Sequence, residues 1–268
     1  MPELPEVEVA RRSLRSAVLG KTVARTSVLR PVALRSHTPG QLDRALRGEK
    51  IADVQRRGKT LRFHLNGHVL VFHYMLWGVV RYHPGAEAPG AGTSLMLHFS
   101  DGSCLEFRDL QLSRFHLVRA GAEGAGGEAA VEPLAPTTTF ARFRAALPAR
   151  GTIKNALSDQ ARIAGIGNLW AHEILFAAGL KPARGTNTLR ETDLRTLYRK
   201  MRQVLANAVR AGGEPDFEDA LGRRGRYRLM VYGRAGQPCR ACGTRIRVGR
   251  LGGRPTFYCP SCQRDPGG

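Results

Sequence analysis

Thr60-Leu61-Arg62-Phe63-His64-Leu65-Asn66-Gly67-His68-Val69-Leu70-Val71-Phe72-His73 decides the fold of the first half of the chain. Two runs rich in β-branched and aromatic residues flank Asn66-Gly67, a dipeptide that suits a tight hairpin. The same pattern extends outward on both sides. Strand-like runs are expected at 22–29, 50–55, 60–65, 68–73, 79–83, 94–99 and 103–107, with Asp101-Gly102 as a second hairpin signal. A helix is expected over about residues 5–19, with Val7, Leu14, Ala17 and Val18 on one face and Gly20 as its stop. This half therefore reads as an antiparallel sandwich or barrel with a leading helix.

Residues 119–132 are rich in Gly, Ala and Glu and carry no apolar period, which marks a linker. Beyond Pro136 the period becomes helical. Phe140, Phe143 and Leu147 form one face, residues 153–157 a short piece, and residues 169–178 another helix. Leu194, Leu197, Met201, Leu205 and Ala208 belong to a longer one. The fold class is α+β in two domains, divided as 1–120, a linker at 121–136, a helical part at 137–222 and an arginine-rich finger at 223–268.

Net charge narrows the partner. Lys plus Arg number 42 against 22 Asp plus Glu, giving +20 and a pI near 11.0. Such an excess is the footprint of a polyanion binder, most often of nucleic acid. Between Gly222 and Arg264 no residue is acidic and every basic residue is arginine, the better bidentate phosphate ligand. No run approaches the ~20 apolar residues of a membrane span. The N-terminus lacks the order of a signal peptide. A cytoplasmic or nucleoid-associated monomer without membrane contact is expected.

Cys239-x2-Cys242 and Cys259-x2-Cys262 are separated by sixteen residues. Two such knuckles supply four tetrahedral thiolates, the ligand set of one structural Zn2+ with no open position for catalysis. The intervening residues fit a two-stranded ribbon with Leu251-Gly252-Gly253 at its turn and Arg245, Arg247, Arg250 and Arg254 along it. Cys104 stands apart in an apolar segment and reads as a buried thiol.

Four further segments carry chemistry. Gly165-Ile166-Gly167-Asn168 is a glycine-rich turn entering a helix, where backbone N–H groups gather as an anion site. Asn168 is an N-cap, a phosphate ligand, or both. Lys59 follows Gly58 at the start of a strand. His73-Tyr74-Met75-Leu76-Trp77-Gly78 is either a core strand end or an apolar wedge for a base stack. The N-terminus, Met1-Pro2-Glu3-Leu4-Pro5-Glu6, is a helix start with Pro5 near its first position. Once Met1 is removed it is also a secondary amine flanked by two carboxylates. An α-amino group has a pKa of roughly 8 and is partly unprotonated near neutrality, so it can act as a Schiff-base nucleophile.

In this order and spacing, Pro-Glu-Leu-Pro-Glu, Gly58-Lys59, Gly165-Ile166-Gly167-Asn168 and Val231-Tyr232-Gly233-Arg234 before the four cysteines make the chain resemble the formamidopyrimidine-DNA glycosylase / endonuclease VIII family over essentially its whole length. The resemblance implies an N-terminal β-sandwich and a helix-two-turn-helix bundle ending in a zinc-finger ribbon. It implies a bifunctional glycosylase/AP lyase acting on double-stranded DNA that contains damaged bases or abasic sites. On that analogy Pro2 is the nucleophile, Glu3 the acid/base beside it, and Glu6 orients the terminus. Lys59, Asn168 and Arg254 match phosphate-clamping residues, and His73, Tyr232 and Glu173 match supporting positions.

Three departures bear on substrate. Leu4 spells the start as the 8-oxoguanine branch does, but Leu76 followed by aromatic Trp77 resembles the endonuclease VIII branch. Asp109-Leu110-Gln111-Leu112 stands where an Arg-x-Phe pair fills the void in the former, and 217–231 is short for a loop that caps extruded 8-oxoguanine. Oxidised pyrimidines, ring-opened purines and 8-oxoguanine all remain implied substrates. The competing functions are a non-catalytic damaged-DNA binder, which a chain keeping Met1 would be, and a zinc-ribbon RNA adaptor.

Overall fold

The computed structural model describes residues 1–75, 78–109, 114–121 and 130–264. The chain forms two compact units: Met1–Gly126 with Pro215–Gly225, and Gly127–Glu214 with Arg226–Gly268.

The first unit begins with α1 (Leu4–Val18), whose Leu4, Val7, Ala10, Leu14 and Val18 are buried at helical spacing. Glu3 is its N-cap and Leu19 its C-cap; Gly20 follows at φ 79°, where a side chain would be strained. The strands are β1 (Val23–Val28), β2 (Ile51–Arg57), β3 (Thr60–Leu65), β4 (His68–His73), β5 (Val79–His83), β6 (Thr93–Phe99), β7 (Cys104–Arg108) and β8 (Arg114–Arg119). A short α2 (Pro39–Leu46) lies between β1 and β2. The strands make two antiparallel sheets, ordered β1-β6-β7-β5 and β2-β3-β4-β8. The Asn66-Gly67 hairpin is in place, with Thr60 opposite His73 and His64 opposite Val69.

The sheets face each other through aromatic rings. Phe107 on β7 meets Phe63, Phe72 and Phe115 of the opposite sheet at centroid distances of 6.1, 5.2 and 4.9 Å, all edge-on. Edge-to-face geometry places the positive ring edge on a negative ring face, an attraction beyond area burial. The sandwich, rather than a closed barrel, is thus the form taken.

Pro215–Gly225 belongs to this first unit, although 137–222 reads in sequence as one helical segment. Phe217 and Ala220 enter the sandwich core, and Tyr82 N–H donates to Ala220 O at 2.8 Å on the free edge of β5. Glu218 pairs with Arg81 at 2.7 Å and Arg224 at 2.9 Å. Buried Asp219 accepts from Leu221 N, Arg223 N and Arg223 Nε. The segment covers a sheet edge that would otherwise present unpaired backbone groups.

The second unit contains α3 (Phe140–Ala146), α4 (Ile153–Ser158), α5 (Asn168–Ala177) and α6 (Glu191–Arg210), followed by the ribbon β9 (Arg247–Leu251) and β10 (Arg254–Tyr258). Helix α5 is buried on nearly every side; Leu169, Trp170, Ala171, His172, Glu173, Ile174 and Leu175 are all inaccessible. Leu197, Met201, Leu205 and Ala208 of α6 are buried as their spacing requires. In the ribbon, Gly252 and Gly253 have φ of 56° and 73°, the two positive values of a type I′ turn. No helix is long and apolar enough to cross a membrane among the described residues.

Phe107 is the ring on which both sheets converge. Phe107→Ala should cost about 3–5 kcal/mol of stability, read as a lower urea midpoint for the first unit; a loss below about 1 kcal/mol would show that the ring cluster does not anchor the sandwich.

Candidate nucleic-acid site and metal centre

In the first unit, α1 positions the N-terminal residues. Glu3 N–H donates to Glu6 Oε2 at 3.0 Å within a capping box, and both carboxylate residues are buried, at 3% and 1% exposure. Pro2 is half-buried and Met1 exposed. Two carboxylates are thereby held at the root of the amine that Met1 removal would free.

Lys59, 8% exposed, sits in the β2–β3 turn beside Gly58, which takes φ 53°. That turn is tied to α1. Arg56 donates to Gly58 O at 2.9 Å and pairs with Glu8 at 3.3 Å. Burial pushes the Glu8 carboxyl up, but Arg11, Arg12 and Arg56 outweigh it and hold the group below the usual range. His73 ends β4 opposite Thr60, so the sheet register brings it to the same end as Lys59. Its Nδ1 accepts from Met75 N–H at 2.9 Å, and Met75 has φ 51°, a strained value for a non-glycine residue. Leu76 and Trp77, expected as the wedge, lie outside the described residues, as do 110–113 and 122–129.

In the second unit, Gly167 is the N-cap of α5 and Asn168 its first helical residue, so the cap role falls one position earlier than the sequence suggests. The turn before it is held by Gln160, whose Oε1 accepts from Gly165 N–H at 3.0 Å. Asn168 Nδ2 reaches Pro255 O at 3.5 Å, which brings it to the strand that carries exposed Arg254. Lys154 of α4 joins this group without having stood out in the sequence. It is 2% exposed and donates from Nζ to Thr256 Oγ1 at 2.8 Å. Burial, with Arg254 nearby, pulls its ammonium down to about 8. The signal that could have found it is a lysine next to Ile153, in a short helix whose Ile153, Ala156 and Leu157 are apolar.

His172 likewise carries no sequence signal of its own. Its Nδ1–H donates to Asn168 O, and its ring lies 5.6 Å from Tyr232 and 5.7 Å from Phe257. Burial, then Lys154, lowers its pKa to about 4, so the imidazole is neutral. Glu173 faces inward. Oε2 accepts from Met230 N–H at 2.8 Å, and Oε1 from Val231 and Tyr232 N–H at 3.0 and 2.9 Å. Its burial raises the carboxyl pKa more than these donors lower it. The carboxylate fixes the 230–232 loop and thereby Tyr232, whose ring packs on Phe257 at 5.4 Å.

The four cysteine Sγ atoms lie within 4.8 Å of one another, with Cys239–Cys262 at 3.9 Å and Cys242–Cys259 at 3.4 Å. Tetrahedral Zn–S bonds of about 2.3 Å put sulfurs about 3.8 Å apart, so the set fits. Ala241 N–H and Cys262 N–H donate to Cys239 and Cys259 Sγ, as thiolates require. These four residues hold one structural zinc.

Comparisons with known proteins agree with this geometry. Residues 1–115 match the formamidopyrimidine-DNA glycosylase N-terminal domain, 129–216 its H2TH domain and 236–264 the zinc finger found in FPG and IleRS. The chain is 37% identical over 98% of its length to a formamidopyrimidine-DNA glycosylase of Pelotomaculum thermopropionicum, covering 99% of that protein. It is 35% identical, over 98% and 99% of the two chains, to that of Bacillus subtilis. Among solved structures it is similar to Lactococcus lactis Fpg with abasic-site DNA, at 28% identity and a TM-score of 0.89, covering 98% of this chain and all of the other. It is likewise similar to the wild-type L. lactis protein with DNA containing N7-benzyl-Fapy-dG, at 29% identity and a TM-score of 0.90 with the same coverage.

The His172 environment has a pH consequence. Its pKa is near 4 in the folded chain against 6.5 for an imidazole in water, so between those values the folded form binds fewer protons than the unfolded one. Stability should therefore be full above pH 6.5 and fall as the pH drops towards about 4. His172→Asn should be less stable at neutrality yet show a flatter profile in denaturant titrations across that window; an unchanged slope would mean that another group is responsible.

Proposed function

The chain belongs to the formamidopyrimidine-DNA glycosylase family of bifunctional DNA glycosylase/AP lyases, and on that footing we propose that it excises oxidised bases from duplex DNA through a Schiff base at Pro2. The observation that carries this reading is the pair of buried carboxylates, Glu3 and Glu6, locked by the capping box next to Pro2.

With Met1 removed, the Pro2 nitrogen attacks C1′ of the damaged nucleotide as the N-glycosidic bond breaks and the base leaves with a proton. Glu3 delivers a proton to O4′ as the deoxyribose ring opens to the iminium. The iminium acidifies C2′–H; loss of that proton expels the 3′ phosphate, and a second elimination expels the 5′ phosphate. No water attacks phosphorus, and the zinc takes no part in the steps. In this reading Lys59 is a phosphate ligand of the DNA in the first unit, and Asn168 and Arg254 are phosphate ligands in the second. His73, Tyr232 and Glu173 support them, and Leu76 and Trp77 fill the vacated stack. The DNA of the related L. lactis complexes, abasic or bearing a ring-opened purine, is the same class of ligand.

The substrate is an oxidised pyrimidine and/or an oxidised or ring-opened purine.

Borohydride should link the protein to damaged or abasic DNA, and peptide mapping should locate the adduct on a peptide that begins at Pro2 with Met1 absent. An adduct at Lys59, or an intact Met1 in active protein, would sink the mechanism. Glu3→Gln should slow base excision by about 10²–10⁴-fold while trapping on preformed abasic sites persists. Duplexes carrying 8-oxoguanine, ring-opened purine and oxidised pyrimidine test the substrate range.

A further inference from the structure

Gln263 follows the last zinc ligand and is 1% exposed, which is rare for an amide unless every polar atom is used. Its Oε1 accepts from Cys259 N–H at 2.9 Å, its Nε2 donates to Leu180 O at 2.9 Å, and its own N–H donates to Cys259 O at 3.0 Å. One end of the side chain is thus bonded to the metal knuckle and the other to the turn that ends α5.

That turn is itself built for contact. Leu180 N–H donates to Leu175 O at 3.0 Å and Gly179 takes φ 69°, a glycine-terminated helix end. A Cβ on Gly179 would lie 3.4 Å from Cys262 O, and Arg264 N–H donates to Gly179 O at 3.3 Å. At its other end α5 presents Asn168, which reaches Pro255 O on the ribbon. The finger therefore grips both ends of one helix, and the helix is packed too tightly to shift by bending.

We propose that Gln263 is a positioning residue for DNA binding: it transmits the geometry of the zinc knuckle through α5 to Asn168. This rests on the reading of Asn168 as a phosphate ligand. The metal then matters to the clamp in two ways, by folding the arginine ribbon and by fixing the helix whose first residue meets the DNA. Loss of the Leu180 link frees the helix end while leaving all four thiolates in place.

The test uses the full zinc-loaded chain, a duplex with a tetrahydrofuran abasic analogue, and the variants Gln263→Met, Asn168→Ala and their combination. Gln263→Met removes both side-chain hydrogen bonds, to Cys259 N–H and to Leu180 O; it should retain one zinc per chain, bind the duplex about tenfold more weakly or worse, and exchange backbone amides faster in α5. The double variant should bind no more weakly than Asn168→Ala alone, a coupling that general loosening of the fold would not give. Gly179→Ala, strained by the φ of 69° at the same helix end, should behave like Gln263→Met and serves if that variant folds poorly. The proposal is overturned if Gln263→Met keeps both zinc and full affinity, if affinity falls only in step with zinc loss, or if the two substitutions add. Unchanged binding by Asn168→Ala would overturn the clamp reading together with this one; weakened binding there with a normal Gln263→Met would overturn this one alone.

Discussion

The finger module has almost no hydrophobic core: Val231, Cys239, Ile246 and Cys259 are its buried cluster, with Phe176, Phe257 and Cys262 packed against it. The stretch from Gly222 to Arg264 is also rich in arginine and free of acid, so its own charges repel. Apolar burial on that scale cannot outweigh chain entropy and repulsion. Zinc–thiolate bonding, worth about 10–16 kcal/mol in small finger modules, can. Zinc at the knuckle that follows β10 would therefore help to fix that strand, together with its contacts to α4 and α5. Everything that meets β10 inherits that dependence: Asn168 at the start of α5, the Lys154 ammonium, and the rings of His172 and Tyr232.

What gathers there is unfavourable without an anion. Lys154 is buried close to Arg254 and its ammonium is correspondingly easier to deprotonate. His172 is neutral for the same reason and adds no third positive charge. A phosphate brought to Arg254 and Asn168 would relieve the repulsion that the free protein bears. In the proposed reading the site is polarised before its ligand arrives, an arrangement that would limit reorganisation on binding. Glu173 supplies the rigidity, since one buried carboxylate engages three consecutive backbone donors.

Much of this is legible in sequence where local chemistry and tertiary structure agree. The strand at 60–65 alternates, the strand at 68–73 is a short apolar run, and the two pair in register around Asn66-Gly67. The cysteine spacing reveals the metal centre because knuckle geometry is local. Two elements are hidden. Helix α2 lies behind Pro39-Gly40, although Thr38 and Gln41 form a capping box and Leu42 and Leu46 are buried. Strand β8 follows a stretch without a clear period. Lys154 and His172 are invisible as site residues because their roles come from β10: Lys154 meets Thr256, 102 residues further on, and His172 meets Phe257 beside it. The return of Pro215–Gly225 to the first unit is equally hidden, since the sandwich edge it covers is set by long-range pairing.

A chain terminus is a poor place for a reacting group, because first residues usually fray. The first unit answers this with ordinary helix chemistry. Leu4 and Val7 are fully buried, so the first turn of α1 is anchored by packing. The Glu6 carboxylate holds Glu3 N–H, and Pro5 fixes its own φ near the helix start. Residue 2 is then one peptide away from a fixed residue, and as proline it has no free φ. A lysine amine would sit at the end of four rotatable bonds, with a pKa near ~10.4 to be overcome. The secondary amine of Pro2 needs neither a long tether nor a large shift. In the proposed mechanism the capping residues that start the helix are also the carboxylates beside the amine, so the folding signal and the proposed chemical groups coincide in Glu3 and Glu6.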